Sequence, residues 1–371
     1  MNRKIPVSAP VLNGNESRYV QDCIASSWIS SNGPYLERFE AAFARFCGVR
    51  HAVACCNGTA ALHAALRALG TGPGDEILVP TLTFVASANA IVYCGATPVF
   101  IDADPETWNL DVARLEERVT PRTRGILVVH LLGNVVDMDP VRDLARRRGL
   151  FVLEDAAEAH GGAYRDRRVG ALGDAAAFSF YGNKILTTGE GGMVVTDDDD
   201  LARRTRMIKG QGQDFDRRYW FPILGYNYRM TNLAAAIGLA QLERADWHLE
   251  RHRANAAAYR AALAGRPEFR FAVERPGTRH AHWITGVVLD DCVPVSRDAV
   301  MARLADAGIE TRPFFPPMHR LPIHAAAAGG RSFPVADRLS DRGLMLPSSA
   351  ALSPEEIATV CDRLLEATAR A

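Results

Sequence analysis

The sequence predicts an α/β fold in which a mostly parallel sheet carries helices on both faces. Two observations predict it. Short apolar runs of strand length recur along the first two hundred residues, and stretches with helical periodicity separate most of them. Such alternation is typical of parallel sheets, which present ligand-binding groups at the carboxyl ends of their strands.

The predicted elements follow in chain order. The strands are residues 52–56, 76–79, 98–101, 126–130, 151–154, 175–180 and 193–196. One long helical pattern then runs from 232 to about 263, and it is followed by a strand over 283–289, a helix over 296–307, a strand over 309–312 and a closing helix over 354–369. We place a domain change inside the long helix. This predicts a large domain over 1–245 and a smaller C-terminal α+β domain over 246–371.

Composition narrows the class of protein. The 371 residues carry 43 basic and 43 acidic side chains, which gives no reason to expect nucleic acid or an anionic membrane as a partner. No signal peptide or membrane-spanning apolar run is evident. Seven cysteines without CxxC spacing favour buried thiols in a reducing cytoplasm. His319 and His324 lack a third ligand, so we expect no metal.

Lys184 is the most informative residue. An apolar strand reaches Ser179, a tight turn follows, and the lysine precedes a glycine-rich return at 189–192. A lone lysine is most often a solvated charge. On a turn that leaves a buried strand, however, burial lowers the pKa of the amine, which can then condense with an aldehyde. Pyridoxal phosphate (PLP) is the aldehyde cofactor that uses a protein lysine in this way.

PLP also needs a carboxylate beside its pyridine nitrogen. Asp155 ends the apolar run 151–154 and stands 29 positions before Lys184. Alone, such an Asp is equally typical of a helix N-cap. With a matching phosphate cradle elsewhere in the chain, we interpret it as the partner of the pyridinium.

The cradle is predicted where a strand breaks before Gly58 and a helix opens at Thr59. Glycine permits close backbone approach, and the free N–H groups of Thr59 and Ala60 at a helix start attract phosphate. Ser179 supplies a hydroxyl to the same phosphate. Phe84 follows another strand and is a candidate to stack on the ring, although a core phenylalanine is an equally good interpretation.

These motifs together carry a family resemblance. The ordered segments 57–62, 80–84, 154–161, 179–180, 182–184 and 189–192 resemble those of the DegT-type nucleotide-sugar aminotransferases. The resemblance runs from about Pro6 to the last helix, and it implies the PLP-dependent aspartate-aminotransferase fold (fold type I). Cys55 and Cys56 depart from the family pattern, in which small or hydroxyl residues are more usual before the cradle.

A narrower resemblance lies in segments 28–36, 209–212, 225–232 and 310–319. It implies that L-glutamate donates the amine and that GDP-4-keto-6-deoxymannose accepts it at C4; a UDP- or dTDP-linked keto sugar is the alternative. The resemblance gives substrate candidates, which are Trp28, Ser30, Ser31, Phe314 and His319. Arg229 and Arg312 are candidates for anionic groups of the substrates, or for structural ion pairs.

Two further roles come only from the resemblance. Glu158 is placed against the 3-oxygen side of PLP, the alternative being an ordinary carboxylate at a helix start. Asn227 reaches the PLP phosphate of the neighbouring subunit, which implies a homodimer with shared active sites. The N-terminal segment lies near the mouth of the site. A cytoplasmic enzyme of O-antigen and lipopolysaccharide biosynthesis is implied.

Two competing functions remain at this point. The family's dehydratase branch replaces the lysine by histidine, and Lys184 argues against it. A non-catalytic binding or regulatory protein on the same fold is the other, since a fold does not fix a function. The full set of cofactor residues argues against that alternative.

Overall fold

A computed structural model describes residues 4–369. Its strands are β1 (His51–Cys55), β2 (Glu76–Pro80), β3 (Thr97–Ile101), β4 (Thr123–Val129), β5 (Phe151–Asp155), β6 (Ala163–Tyr164), β7 (Arg167–Arg168), β8 (Ala175–Ser179), β9 (Gly192–Thr196), β10 (Phe269–Arg270), β11 (Thr278–Arg279), β12 (Gly286–Leu289), β13 (Arg312–Pro313) and β14 (Gly343–Met345). Its α-helices are α1 (Glu16–Ala25), α2 (Pro34–Cys47), α3 (Gly58–Ala68), α4 (Ala86–Tyr93), α5 (Met138–Arg148), α6 (Asp199–Lys209), α7 (Asn232–Glu243), α8 (Ala245–Ala262), α9 (Arg297–Asp306), α10 (Ala325–Ala328), α11 (Pro334–Arg342) and α12 (Pro354–Thr368).

A seven-stranded sheet forms the centre of the fold, in the order β1-β9-β8-β5-β4-β2-β3. Neighbours from β8 to β3 pair in parallel, whereas β9 is antiparallel to both β1 and β8. Six strands therefore point one way and β9 alone opposes them. The prediction of a mostly parallel α/β sheet is confirmed, with strand ends within a few residues of those expected.

The sheet brings distant segments to one edge. The carboxyl ends of β1, β5 and β8 lie there beside the start of β9. The segment after β1 passes so close to β9 that a Cβ on Gly192 would overlap the carbonyl of Asn57. Glycine at this position therefore allows the predicted cradle to approach the end of β8.

Glu154 shapes the segment behind this edge. Its carboxylate is fully buried and accepts bonds from the amides of Gly170 (3.1 Å), Leu172 (2.8 Å) and Gly173 (2.9 Å). His130 Nε2 lies 3.1 Å from the same carboxylate, and its Nδ1 accepts from a backbone amide, so Nε2 is the protonated nitrogen. Four donors thus converge on one side chain directly before Asp155.

Helix α3 begins one residue earlier than expected. Asn57 is its N-cap, and its Oδ1 accepts from the amide of Ala60 at 2.8 Å. The helix therefore begins at Gly58 and not at Thr59, because the Asn57 side chain caps the first turn.

The C-terminal third packs a second apolar core, around Tyr259, Val300 and Leu364. A four-stranded sheet, β10-β12-β14-β13, lies within this part. Ile5 also belongs to the second core and bridges Ile309.

Three predicted elements differ in this region. The long helix over 232–263 is two helices, because Arg244 has φ −110° and ψ 13° and interrupts the helical backbone. The strand over 283–289 begins only at Gly286, and the strand over 309–312 is displaced to Arg312–Pro313. The break at Arg244 is close to the division near residue 245, which stays a prediction.

The cysteines differ in their exposure to solvent. The seven cysteines are all free; five are buried, Cys56 is half-buried and Cys292 is exposed, so the expectation of buried thiols is wrong for Cys292. Within residues 4–369 we find no helix long and apolar enough to cross a membrane and no cluster of three metal-ligating side chains.

Candidate active site

A cavity of about 460 Å³ opens at the carboxyl edge of the main sheet. The structure brings eight of the predicted site residues to its wall: Gly58, Thr59, Phe84, Asp155, Glu158, Ser179, Lys184 and Arg312. They come from five separate stretches of the chain.

Lys184 projects from the turn after β8. Its amide donates to the Tyr181 carbonyl at 2.9 Å, and its side chain is 12% exposed. Burial lowers the pKa of the amine, and the carboxylates of Glu158 and Asp155 partly offset that effect. The neutral, nucleophilic form of the amine is therefore favoured relative to a surface lysine.

Glu158 faces Lys184 across the cavity, with 3.9 Å between Oε1 and Nζ. Its Oε2 accepts the amide of Leu132 at 2.7 Å. Burial raises the pKa of this carboxyl to about 7, although Lys184 acts in the opposite direction. Since Glu158 is buried and lies in no helix, the interpretation as a helix-start carboxylate does not hold.

Asp155 is the last residue of β5, and no helix begins after it, so it is not an N-cap. Ser87 Oγ donates to its Oδ2 at 2.7 Å, and the Ala157 amide donates to Oδ1 at 3.2 Å. Thr83 Oγ1 extends the chain of hydroxyls, 3.0 Å from Ser87 Oγ. Burial raises the pKa of Asp155, while the Ser87 bond and then the Ala157 bond lower it.

The first turn of α3 has the features of an anion site. The amides of Gly58 and Thr59 have no hydrogen-bond acceptor within residues 4–369, whereas that of Ala60 is taken by Asn57. A Cβ on Gly58 would lie 2.7 Å from Ser179 Cβ, so only glycine leaves the space between them open. Free amides, a helix start and a hydroxyl together fit a phosphate group.

Phe84 is 54% exposed and makes an edge contact with Phe315, with ring centroids 5.6 Å apart. Both rings line the cavity. The interpretation of Phe84 as a core residue is therefore wrong, and its ring is accessible to a flat ligand.

Several substrate candidates lie outside the cavity of a single chain. Trp28, Ser30 and Ser31 are on the surface or half-buried, and none lines the cavity. Asn227 and Arg229 are exposed and contact each other, with Arg229 Nε donating to Asn227 Oδ1 at 3.0 Å. Within residues 4–369, Arg229 has no carboxylate partner, so no ion pair within the chain accounts for it.

Phe314 is buried, and His319 is half-buried. Phe314 is 3% exposed, with its ring centroid 5.2 Å from that of Trp108. His319 lies between Thr81 Oγ1 (2.8 Å) and Asp337 Oδ1 (2.9 Å). Neither lines the cavity, and these contacts connect the segment after β2 to the C-terminal third.

Arg312 does line the cavity, and it also approaches Glu310 at 3.5 Å. Both interpretations of this arginine, a substrate anchor and a structural ion pair, therefore have a contact to support them.

Three residues that line the cavity and one residue behind its wall were not predicted. Tyr181, Glu190 and Trp283 line it, and Ser87 supports Asp155 from behind. Glu190 lies within segment 189–192 and Tyr181 directly precedes segment 182–184, but these motifs alone assign neither residue a role. Trp283 lies about a hundred residues after Lys184 in an apolar segment, and no local pattern distinguishes it from a core residue.

Comparison with known proteins places this geometry among aminotransferases. Residues 10–365 match the model of the DegT/DnrJ/EryC1/StrS aminotransferase family. GDP-perosamine synthase of Caulobacter vibrioides is 52% identical over 366 residues, which are 98% of this chain and 97% of that protein. The Vibrio cholerae protein of the same name is 45% identical, covering 96% and 97% of the two chains. The crystal structure of S. venezuelae DesV, in complex with a ketimine intermediate, aligns over 100% of both chains with a TM-score of 0.93 and 37% identity.

Proposed function

The chain belongs to the DegT/DnrJ/EryC1/StrS aminotransferase family, and from this premise we propose that it moves an amino group from L-glutamate to C4 of GDP-4-keto-6-deoxymannose. The product is GDP-perosamine. This assignment of the substrate rests on one observation: the chain is 45–52% identical in sequence, over nearly its whole length, to relatives named GDP-perosamine synthase. We place the reaction in the cytoplasm and its product in O-antigen and lipopolysaccharide synthesis.

Family membership confirms three predictions: the aspartate-aminotransferase type of α/β fold, the aminotransferase activity and the PLP cofactor. The amide pair at α3, the oriented Asp155 carboxyl and the buried Lys184 amine fit that cofactor. When bound, PLP supplies an aldehyde for the amino group and a ring that delocalises electrons.

We assign the cofactor contacts as follows. Gly58, Thr59 and Ser179 would hold the phosphate, and Phe84 would lie against the ring. Asp155 would hold a proton at the pyridine nitrogen, and the bond from Ser87 supports this role because it stabilises the ionised carboxylate.

Lys184 is the proposed base. Once its amine is free, it takes the proton from the α-carbon of the amino donor and returns it later. Burial supports this role because it lowers the pKa of the amine and so shifts the equilibrium toward the neutral form. Glu158, whose pKa is raised to about 7, is within 3.9 Å of that amine and would orient it.

The substrates would enter through the open side of the cavity. Arg312 lies at the wall there and would bind a carboxylate of the donor or the diphosphate of the sugar nucleotide. Trp28, Ser30, Ser31 and Arg229 stay candidates on the surface, where a second subunit would bring them to a site.

We propose a homodimer in which Asn227 of one subunit completes the phosphate site of the other. Its exposed position outside the cavity of its own chain supports a contribution to the site of the partner. The segment before it supports an interface, because it exposes several large apolar side chains: Phe215, Tyr219, Trp220, Phe221, Ile223 and Leu224. Exposed apolar clusters of this kind mark interaction surfaces.

A substrate panel tests the proposed acceptor. The purified enzyme with L-glutamate should turn over the GDP-linked 4-keto-6-deoxy sugar in strong preference to UDP- and dTDP-linked keto sugars. Lys184→Ala is the inactive control, and borohydride reduction of the holoenzyme should fix the cofactor to Lys184, as peptide mass would show. A preference for a dTDP-linked sugar would show that the proposed acceptor is wrong. A label on Lys209 would show that Lys184 is not the residue that binds the cofactor.

Mixed dimers test the shared site. Lys184→Ala and an impaired Asn227 variant are combined, after co-purification of two tags has shown that subunits exchange. If Asn227 acts across the interface, each heterodimer holds one intact site, and up to about half of the activity per dimer returns. If mixing restores nothing, Asn227 does not act in trans.

A further inference from the structure

We propose that Trp283 is a positioning residue for Lys184, with its indole face against the amine and its N–H fixing the turn that carries the lysine. The inference rests on the proposed role of Lys184 and not on the identity of the sugar. Trp283 acts on the lysine and would not itself take part in proton transfer.

The face contact is close. Lys184 Nζ lies 3.7 Å from the centroid of the Trp283 ring, well inside the range of a cation–π interaction. Trp283 is 4% exposed, so water has little access to the ring. Lys184 Nζ makes no hydrogen bond to any residue between 4 and 369, which leaves the indole face and the Glu158 carboxylate as its nearest polar surroundings.

The edge of the same ring holds the backbone beside the lysine. Trp283 Nε1 donates to the Asn183 carbonyl at 2.6 Å, and Ser8 Oγ donates to that carbonyl at 3.2 Å. Asn183 immediately precedes Lys184. One indole therefore contacts both the end of the lysine side chain and the peptide at its base, which restricts where the amine can lie.

The backbone around Trp283 is itself fixed. His282 has φ +56°, a left-handed conformation that is uncommon for residues other than glycine, and such strain persists only where surrounding contacts impose it. Its amide donates to His280 Nδ1 at 2.8 Å, the two imidazoles stack with centroids 3.8 Å apart, and its carbonyl lies 3.1 Å from His252 Nδ1. The position of the indole is therefore set by buried contacts on its other side.

The pKa of Lys184 depends on the charged groups around the amine as well as on the indole ring. Burial opposes the ammonium form most strongly, Glu158 and then Asp155 favour it, and Arg312 opposes it. His160 is buried and its pKa is lowered to about 3, so it stays neutral. An indole face attracts a cation and not a neutral amine. Removing the face should therefore lower the pKa of Lys184, in the same direction as burial.

The test uses cofactor-free protein, so that it does not depend on turnover. The rate at which acetic anhydride modifies Lys184 is followed against pH by peptide mass, because only the neutral amine reacts. In Trp283→Leu the pKa of Lys184 should fall by about 0.5 to 1.5 units. Trp283→Phe keeps an aromatic face and should recover most of the wild-type value. Trp247→Leu, in α8, is the matched control and should leave it unchanged.

An unchanged Lys184 pKa in folded Trp283→Leu would overturn the face contact. A second measurement avoids any substitution at the tryptophan. The difference in indole fluorescence between wild type and Lys184→Met should titrate with the same pKa as the acetylation rate, and a difference that is flat across pH would also overturn the proposal. Failure of either leaves the substrate panel unaffected, so the two proposals are separable.

Discussion

Removing the Ser87 hydroxyl should test how Asp155 is kept ionised. Ser87 Oγ donates to Asp155 Oδ2 at 2.7 Å, and the side chains are buried, so water cannot replace the lost donor. A hydrogen bond to a charged group contributes roughly 1.5–3 kcal/mol. In Ser87→Ala we therefore expect the pKa of Asp155 to rise by about 1 to 2 units, because one unit corresponds to about 1.4 kcal/mol.

The same loss should appear as stability that depends on pH. At pH values above the native pKa of Asp155 the carboxyl is ionised, and there Ser87→Ala should lower the free energy of unfolding of the cofactor-free protein by about 1.5–3 kcal/mol. The pKa of Asp155 is already raised in the native state, and the variant raises it further. As the pH falls through these native values the carboxyl becomes protonated, the charge-assisted bond is lost in wild type too, and the difference between the proteins should shrink.

Urea unfolding at several pH values, followed by circular dichroism, measures this difference. Thr205→Val is the matched control, because the Thr205 hydroxyl is equally buried but donates to the neutral carbonyl of Leu201 at 2.8 Å. Its cost should not vary with the ionisation of Asp155. If Ser87→Ala is as insensitive to pH as Thr205→Val, the hydroxyl does not stabilise the charged carboxylate.

Three further outcomes are expected. Glu154→Gln should lower the free energy of unfolding by about 2–6 kcal/mol, because the new amide group leaves two buried donors without an acceptor. The control Glu116→Gln breaks only exposed ion pairs and should lower it by less than about 1 kcal/mol. Denaturant titration of both variants measures the difference. Gly58→Ala should weaken PLP binding at least tenfold by spectroscopic titration, since the new methyl group meets Ser179 Cβ at 2.7 Å, and unchanged affinity would place the phosphate elsewhere. Asp155→Asn should abolish most turnover while PLP still binds, and near-normal rates would deny the pyridine contact.

Much of the fold was predictable because its signals are local. Apolar runs separated by helical periodicity identified the strands of the main sheet, and the carboxyl-end rule placed Asp155 and Ser179 at one edge. The break at Arg244 was not predictable, because residues 232–263 keep helix-forming composition throughout and only the φ and ψ angles of one residue interrupt them.

The residues of the site likewise fall into those that local sequence identifies and those that only tertiary packing brings there. Lys184, Asp155 and Gly58 are preceded by strands and carry chemistry that few other residues supply, so their roles could be inferred from neighbouring residues. Trp283 reaches Lys184 only through tertiary packing, and nothing near it in the sequence separates it from a core tryptophan. A shared motif predicts Phe314 and His319 near the substrate, whereas within one chain Phe314 packs against Trp108 and His319 contacts Thr81, so their substrate roles stay predictions.

The bridge between Ile5 and Ile309 has a consequence for biosynthesis. Ile309 is synthesised about three hundred residues after Ile5, which at 5–20 residues per second is roughly 15 to 60 s. Joining ends that far apart costs about 5 kcal/mol of chain entropy, so the bridge cannot hold before the second core has formed around it. Ser8, three residues further on, contacts the turn that presents Lys184. The segment that contains Ile5 and Ser8 therefore lacks its Ile309 partner until Ile309 has been synthesised, and the support that this segment gives to the turn of the reactive lysine forms late. A bulky fusion attached before residue 4 should hinder this late step. It should reduce the rate at which native enzyme forms more than it reduces the stability of molecules that have already folded.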